Sequence, residues 1–204
     1  KTKILIVYPP TLEKNWKSTF KEFRIDEKCH FIANGSLNKI VEGDHNYSDK
    51  ERYDLILVDE AHKFRNHRSQ QFQNLQIICK AGREHVGGVE GFDKKVVLIS
   101  ATPLNNKPED IYNLITLFQD SRKSNLNEPN LQKFFYQHSL KYKSLIQTTP
   151  LDLNGIQEIF NDIRDKVIAY VGRHQHSDSN PKYLVYPKGA STQPFPAKLD
   201  GNPK

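Results

Sequence analysis

Methionine is absent from all 204 residues, tryptophan occurs once, and cysteine occurs twice. With no initiator at position 1, the chain reads as a piece of a longer protein. The cysteines, Cys29 and Cys79, are far apart and neither belongs to a C-x-x-C pair. No zinc framework is visible and nothing supports a disulfide between them, so both read as ordinary buried or half-buried thiols. No apolar run approaches the roughly eighteen residues of a membrane span. The opening Lys1-Thr2-Lys3, followed by Ile4 to Val7, lacks the length and the small-residue cleavage site of a secretory signal. The expectation is a soluble cytoplasmic protein, nucleoid-associated if bacterial, with no membrane partner.

What is present points to a globular domain. Hydrophobic residues make up 36% and aromatics 10%, enough for a packed core and too many for wholesale disorder. Thirty Lys and Arg against 24 Asp and Glu leave a formal charge of +6, which favours a polyanionic partner, nucleic acid first.

Short apolar runs alternate with helical periodicity over the first 120 residues. Ile4–Val7, Cys29–Ala33, Leu55–Val58 and Val96–Ile99 read as strands. Thr11–Phe23, Ser36–Val41 and Ser69–Ala81 read as helices, with Thr11 and Ser36 as caps of the first two. Pro108-Glu109-Asp110 opens another helix, with proline first and acids in the opening turn, and Ile111, Leu114, Ile115 and Phe118 continue it. Asp44–Arg52 and the glycine-bearing Gly82–Lys95 read as loops. Alternation of this kind predicts an α/β fold: a parallel sheet sandwiched by helices, with ligands at the carboxyl ends of the strands. Beyond residue 120 the strands stop. Leu131–Ile146 and Asp152–Val171 read as a helical extension. From Gly172 onward, Pro181, Pro187, Pro194, Pro196 and Pro203 predict an irregular tail. The predicted organisation is thus 1–120, 121–171 and 172–204.

Two stretches at strand ends are chemically unusual. "VDEAH" drives a buried strand into Asp59 and Glu60, with His62 two positions on; "SATP" follows the last strand at Ser100 to Pro103. Adjacent carboxylates at the lip of such a sheet suit hydrated Mg²⁺, which needs only one or two of them when nucleotide phosphates and water complete its octahedron. Asp59 would serve the metal and Glu60 the attacking water. Anchorage directly after four buried residues provides the rigidity that catalysis by positioning requires. The bland alternative is that the two acids only cap the helix that follows.

"VDEAH" resembles the DEAH box of superfamily-two helicases, and "SATP" resembles the third motif of the same enzymes, in the same order. "SATPLNN" with "PEDIYNLITLFQ", and "PPTLEKNW" at Pro9 to Trp16, narrow the resemblance to the SWI/SNF-like ATPases and cover residues 4–119. The resemblance implies a first RecA-like lobe of the P-loop NTPase fold. Its implied cofactors are ATP and Mg²⁺, and its implied partners are duplex DNA and a second RecA-like lobe of the same protein. Asp59 and Glu60 would bind Mg²⁺ and nucleotide and carry the hydrolysis. His62, Ser100 and Thr102 would contact the nucleotide and couple its state to DNA, and Pro10 and Trp16 would mark the DNA-tracking side. The helices after residue 120 would form the family's helical protrusion.

The family's G-x-x-x-x-G-K-[ST] phosphate loop is missing. "GREHVGGV", from Gly82 to Val89, has the glycine spacing, but Gly88 replaces the lysine and Val89 the Ser or Thr, and it lies between the two helicase motifs. Its expected place is upstream of Lys1, so the chain as it stands is expected to be inactive. Arg173, His174 and His176, in "YVGRHQHSDSNPKY", receive no role. Two other readings compete. A non-catalytic scaffold that kept the fold is opposed by the intact acid pair. An RNA helicase of the same superfamily is opposed by the wording of "PPTLEKNW" and "SATPLNN".

Overall fold

The computed structural model describes residues 2–82, 94–100 and 107–177, with side chains in the last helix described as far as Lys166. Four parallel strands form one sheet in the order β2-β1-β3-β4: β1 (Ile4–Tyr8), β2 (Cys29–Ala33), β3 (Leu55–Val58) and β4 (Lys95–Leu98). The register pairs Val7 with Val58 and Val58 with Leu98, so the carboxyl ends of β1, β3 and β4 finish level. This is the parallel α/β architecture the alternation predicts.

Alternate residues of each strand go to opposite faces, and both faces are covered. Leu5, Val7, Ile32, Ile56 and Val58 share a core with Ile40 of α2 (Asn38–Val41), with Phe72, Leu75 and Ile78 of α3 (Gln70–Lys80), and with Leu114 of α4 (Pro108–Thr116). On the other face Ile6, Tyr8 and Cys29 meet Trp16 and Phe20 of α1 (Glu13–Glu22). Leu5, Val7, Ile56 and Val58 are wholly buried. At about 25 cal/mol per Å² of apolar surface, each contributes about 1.5–3 kcal/mol.

The second core lies off the sheet. Ile111 and Ile115 of α4 pack with Leu131, Phe134 and Phe135 of α5 (Leu131–Leu145) and with Ile159 and Ile163 of α6 (Leu153–Ser177). His138 joins these two helices, with Nε2 2.8 Å from Asp162 Oδ2 and Nδ1 2.9 Å from the Phe134 carbonyl. One helix, α4, therefore serves two cores through two sides of its apolar stripe.

Several local expectations need correction. Thr11 does not cap α1: Pro10–Leu12 form a 3₁₀ turn, and Leu12 precedes the helix without a side-chain cap. The proline at the start of that turn sets its φ and supplies no N–H, which suits a tight entry. Ser36 likewise ends a 3₁₀ turn, and Leu37 precedes α2. Ser69 does cap α3, accepting from the Phe72 N–H at 3.2 Å. The last helix runs to Ser177, past Gly172, where the sequence reading placed an irregular tail. A single glycine costs a long helix only about 1 kcal/mol, and no proline intervenes before Pro181. Residues 83–93, 101–106 and everything after 177 lie outside the described residues, and with them most of the stretch Gly82–Lys95 expected to be a loop.

Among the described residues two non-glycine residues adopt left-handed backbone: Arg24 (φ 56°) and Glu60 (φ 51°). Arg24 ends α1 in a Schellman motif, with the Ile25 N–H donating to the Phe20 carbonyl at 3.1 Å and the Arg24 N–H to Lys21 at 3.0 Å. Glu60 has no helix to end, and its conformation belongs to the site.

Candidate functional site

The site begins where β3 stops. The Asp59 N–H donates to the Val7 carbonyl at 2.8 Å, and the Ile99 N–H donates to the Val58 carbonyl at 2.8 Å. The chain then turns through left-handed Glu60, and the Ala61 N–H donates to the Ile99 carbonyl at 2.8 Å. Residues 61–64 form a 3₁₀ turn whose Ala61 and Phe64 are fully buried. These bonds lock the acid pair to the ends of both neighbouring strands. A left-handed non-glycine residue costs roughly 1–3 kcal/mol and persists only where its surroundings over-determine it. Here the Ala61 bond and the burial of Ala61 and Phe64 do so.

The side chains converge at the same lip. Asp59 accepts two donors, the Glu60 N–H on Oδ1 at 2.8 Å and the Trp16 indole N–H on Oδ2 at 2.8 Å. Each of its oxygens keeps one further lone pair. Glu60 Oε2 lies 3.0 Å from His62 Nδ1. That contact is off the line of a hydrogen bond, and Oε2 is a buried atom with no aligned donor even though the side chain as a whole is 34% exposed. His62 Nδ1 is also 3.5 Å from Ser100 Oγ, at the outer limit of a hydrogen bond. The arrangement thus brings together Asp59, Glu60, His62 and Ser100 from two different strand ends. Thr102 falls outside the described residues.

Among the described residues no three His, Cys, Asp or Glu side chains converge as a metal-ligating group. A divalent ion here would therefore take most of its ligands from phosphate oxygens and water, the mode natural to Mg²⁺. The residues fit that role: a buried carboxylate oxygen without a donor is satisfied by a bound water or cation, and Asp59 has lone pairs to spare. Of the basic residues near the acid pair and at the start of α4, Lys63, Arg65 and Lys107 are exposed. The Arg65 carbonyl is held by Asn113 Nδ2 of α4 at 2.6 Å, which ties the turn after the site to the second core.

Trp16 is the residue whose place beside the acids no local pattern discloses. Its polar edge meets Asp59, 43 positions away. The only available signal was the Pro9-Pro10 turn, which swings α1 back over the strand ends. Cys29 and Cys79 are free, buried thiols, as expected. Burial pushes them up to about 11 and about 12, so neither supplies a thiolate. No helix among the described residues is long and apolar enough to cross a membrane.

A family profile described as "Type III restriction enzyme, res subunit" matches residues 3–105. A protein of Bacillus subtilis (strain 168) named "Uncharacterized ATP-dependent helicase YqhH" is 25% identical over 184 residues, 84% of this chain. The chain spans 28% of that relative's length. Among solved structures, the "Sulfolobus solfataricus SWI2/SNF2 ATPase core in complex with dsDNA" aligns with 83% of this chain and 32% of its own, at 14% identity and a TM-score of 0.48.

Proposed function

The chain belongs to the family of type III restriction enzyme res subunits and is a superfamily-two helicase N-terminal lobe; from that premise we propose that it serves an ATP-dependent motor that moves on duplex DNA. The observation that carries the proposal is the juxtaposition of Asp59 and Glu60 with Ser100 across the carboxyl ends of β3 and β4, bridged by His62.

In this reading Asp59 faces the metal-bearing phosphates, in part through water. Mg²⁺ held there by Asp59 would supply charge neutralisation to the phosphate oxygens. Glu60 orients a water molecule in line with the γ-phosphorus and accepts its proton. The strained backbone at Glu60 and the bond from Ala61 to β4 hold that carboxylate still, which keeps the reorganisation cost low. His62 stands between Glu60 and Ser100, so a change at the acid pair is passed to the segment that leaves β4. Thr102, on that segment, is proposed as its continuation toward DNA. A net charge of +6 suits the same polyanionic partner.

The 204 residues contain no G-x-x-x-x-G-K-[ST] loop. Backbone amides that cradle phosphates and a lysine on their charge are what give such sites their nucleotide affinity. We therefore expect this stretch alone to hydrolyse ATP far below motor rates. In a form of the protein that carries a phosphate loop, duplex DNA should stimulate turnover more than RNA does. There Glu60→Gln should lower turnover by about 10²–10⁴-fold while nucleotide-stimulated DNA binding persists, since the neutral isostere keeps shape but cannot take a proton. Unchanged turnover in Glu60→Gln would remove Glu60 from the chemistry, and loss of DNA binding along with turnover would make its role structural.

A further inference from the structure

Trp16 is the sequence's only tryptophan, and its one polar atom is spent on Asp59. The contact arises from the fold. Pro9 and Pro10 follow β1 directly, and the Leu12 N–H closes back on the Pro9 carbonyl at 2.9 Å. The chain therefore reverses within a few residues, and α1 packs along the sheet face with its second turn beside the end of β3. The indole is held there by Phe20, ring centroids 5.7 Å apart, and Phe20 rests edge-on against Phe31 of β2 at 5.8 Å. A ring set against Phe20, which is itself braced on Phe31, has its N–H aimed before any ligand arrives.

We propose that Trp16 is a positioning residue for Asp59: its indole N–H fixes the plane of the carboxylate so that the remaining lone pairs face the divalent cation. The inference rests on the reading that Asp59 serves the metal of a nucleotide. With Oδ1 held by the Glu60 N–H and Oδ2 by the indole, both at 2.8 Å, the carboxylate is held at both oxygens and cannot rotate. Hydrogen bonds to ionised acceptors are about twice as strong as neutral ones, so the orientation is firmly kept. Partners that orient a metal-binding carboxylate matter to affinity nearly as much as the ligand does, their loss typically costing about 10–100-fold. The other aromatic residue of α1, Phe20, and Phe23 just after it offer no N–H to take over the role.

The experiment is a ¹⁵N spectrum of the 204-residue chain titrated with Mn²⁺ in a fixed excess of ATP, whose phosphate oxygens supply the remaining ligands. The single indole N–H yields one isolated peak, and broadening of the Glu60 and Ala61 amides reports on metal at the acid pair whatever stands at position 16. In the unsubstituted chain those amides should broaden saturably. Asp59→Asn should abolish the broadening and move the indole peak. Trp16→Phe, which keeps the aromatic contact with Phe20, should raise the Mn²⁺ concentration for half-broadening about tenfold with the rest of the spectrum intact. An unshifted midpoint in Trp16→Phe, with broadening lost in Asp59→Asn, overturns the positioning role and leaves the metal reading standing. Equal broadening in the unsubstituted chain and in Asp59→Asn overturns the metal reading itself. Should Trp16→Phe not fold, the unsubstituted chain still decides: the indole peak must respond at the midpoint of the Glu60 amide, and an indole peak unmoved by both Mn²⁺ and Asp59→Asn overturns the proposal.

Discussion

Glu60 combines two unfavourable features in one residue. Its backbone is left-handed, and one of its carboxylate oxygens is buried without an aligned donor. Left-handed backbone costs a residue with a Cβ about 1–2 kcal/mol, whereas glycine adopts it freely at a smaller cost in unfolded-chain entropy. Glu60→Gly should therefore stabilise the fold by about 0.5–1 kcal/mol while removing the proposed proton acceptor, a stability–function trade-off. Glu60→Ala, which keeps the Cβ, should show a smaller gain. Urea denaturation compares the three chains, and a lower midpoint for Glu60→Gly than for Glu60→Ala would refute stored strain at this position. At this scale the sequence disclosed the acids and not their environment. Nothing in "VDEAH" says that Glu60 is left-handed, because the turn is dictated by the Ala61 bond to a strand that arrives later in the chain.

Among the elements, the strands were the most legible. Each observed strand lies within one residue of its predicted span, because four or five apolar residues bounded by turn formers have few other uses. Caps were less legible: a Thr or Ser before a helix is a competent cap, but 3₁₀ turns occupied Thr11 and Ser36 instead. At the opposite, amino-terminal edge of the sheet, β2 is tied to the loop that precedes β3 through His30. Its Nδ1 accepts from the Tyr53 hydroxyl at 2.8 Å and from the Ser48 N–H at 3.2 Å. Both bonds require the neutral ring. Burial first, and then the Lys3 charge, hold the His30 pKa below its ordinary value of 6.5. The sign follows: as pH falls through 6.5 the unfolded chain takes up this proton more readily than the folded one, so stability is lost toward acid. Melting temperature should drop between pH 7 and about 5, and the drop should be shallower in His30→Gln, whose amide oxygen can still accept. A melting profile of equal slope in the two chains would exclude His30 as the source.

Over the whole molecule, the sheet and the helical extension are joined through α4. Leu114 belongs to the sheet core, while Ile111 and Ile115 belong to the second core with residues of α5 and α6. Ending the chain at residue 120 would uncover these two side chains together with part of Tyr112. We expect that shorter chain to melt lower than the 204-residue chain and to bind a hydrophobic dye, the exposed pair alone costing about 3–6 kcal/mol in lost burial. Two chains of equal melting temperature would show the extension to be an appendage with no share in the first lobe's stability.

The sequence by itself determined the strands, most of the helices, the parallel architecture and the placing of Asp59, Glu60 and Ser100 at strand ends, since each is written in local apolar periodicity or in an abrupt change from apolar to charged residues. Tertiary structure alone decided that the indole of Trp16 closes on Asp59, that His62 bridges two strand ends, and that one helix serves two cores. Those contacts join residues tens of positions apart, and their partners are selected by the path of the folded backbone, which no local pattern encodes.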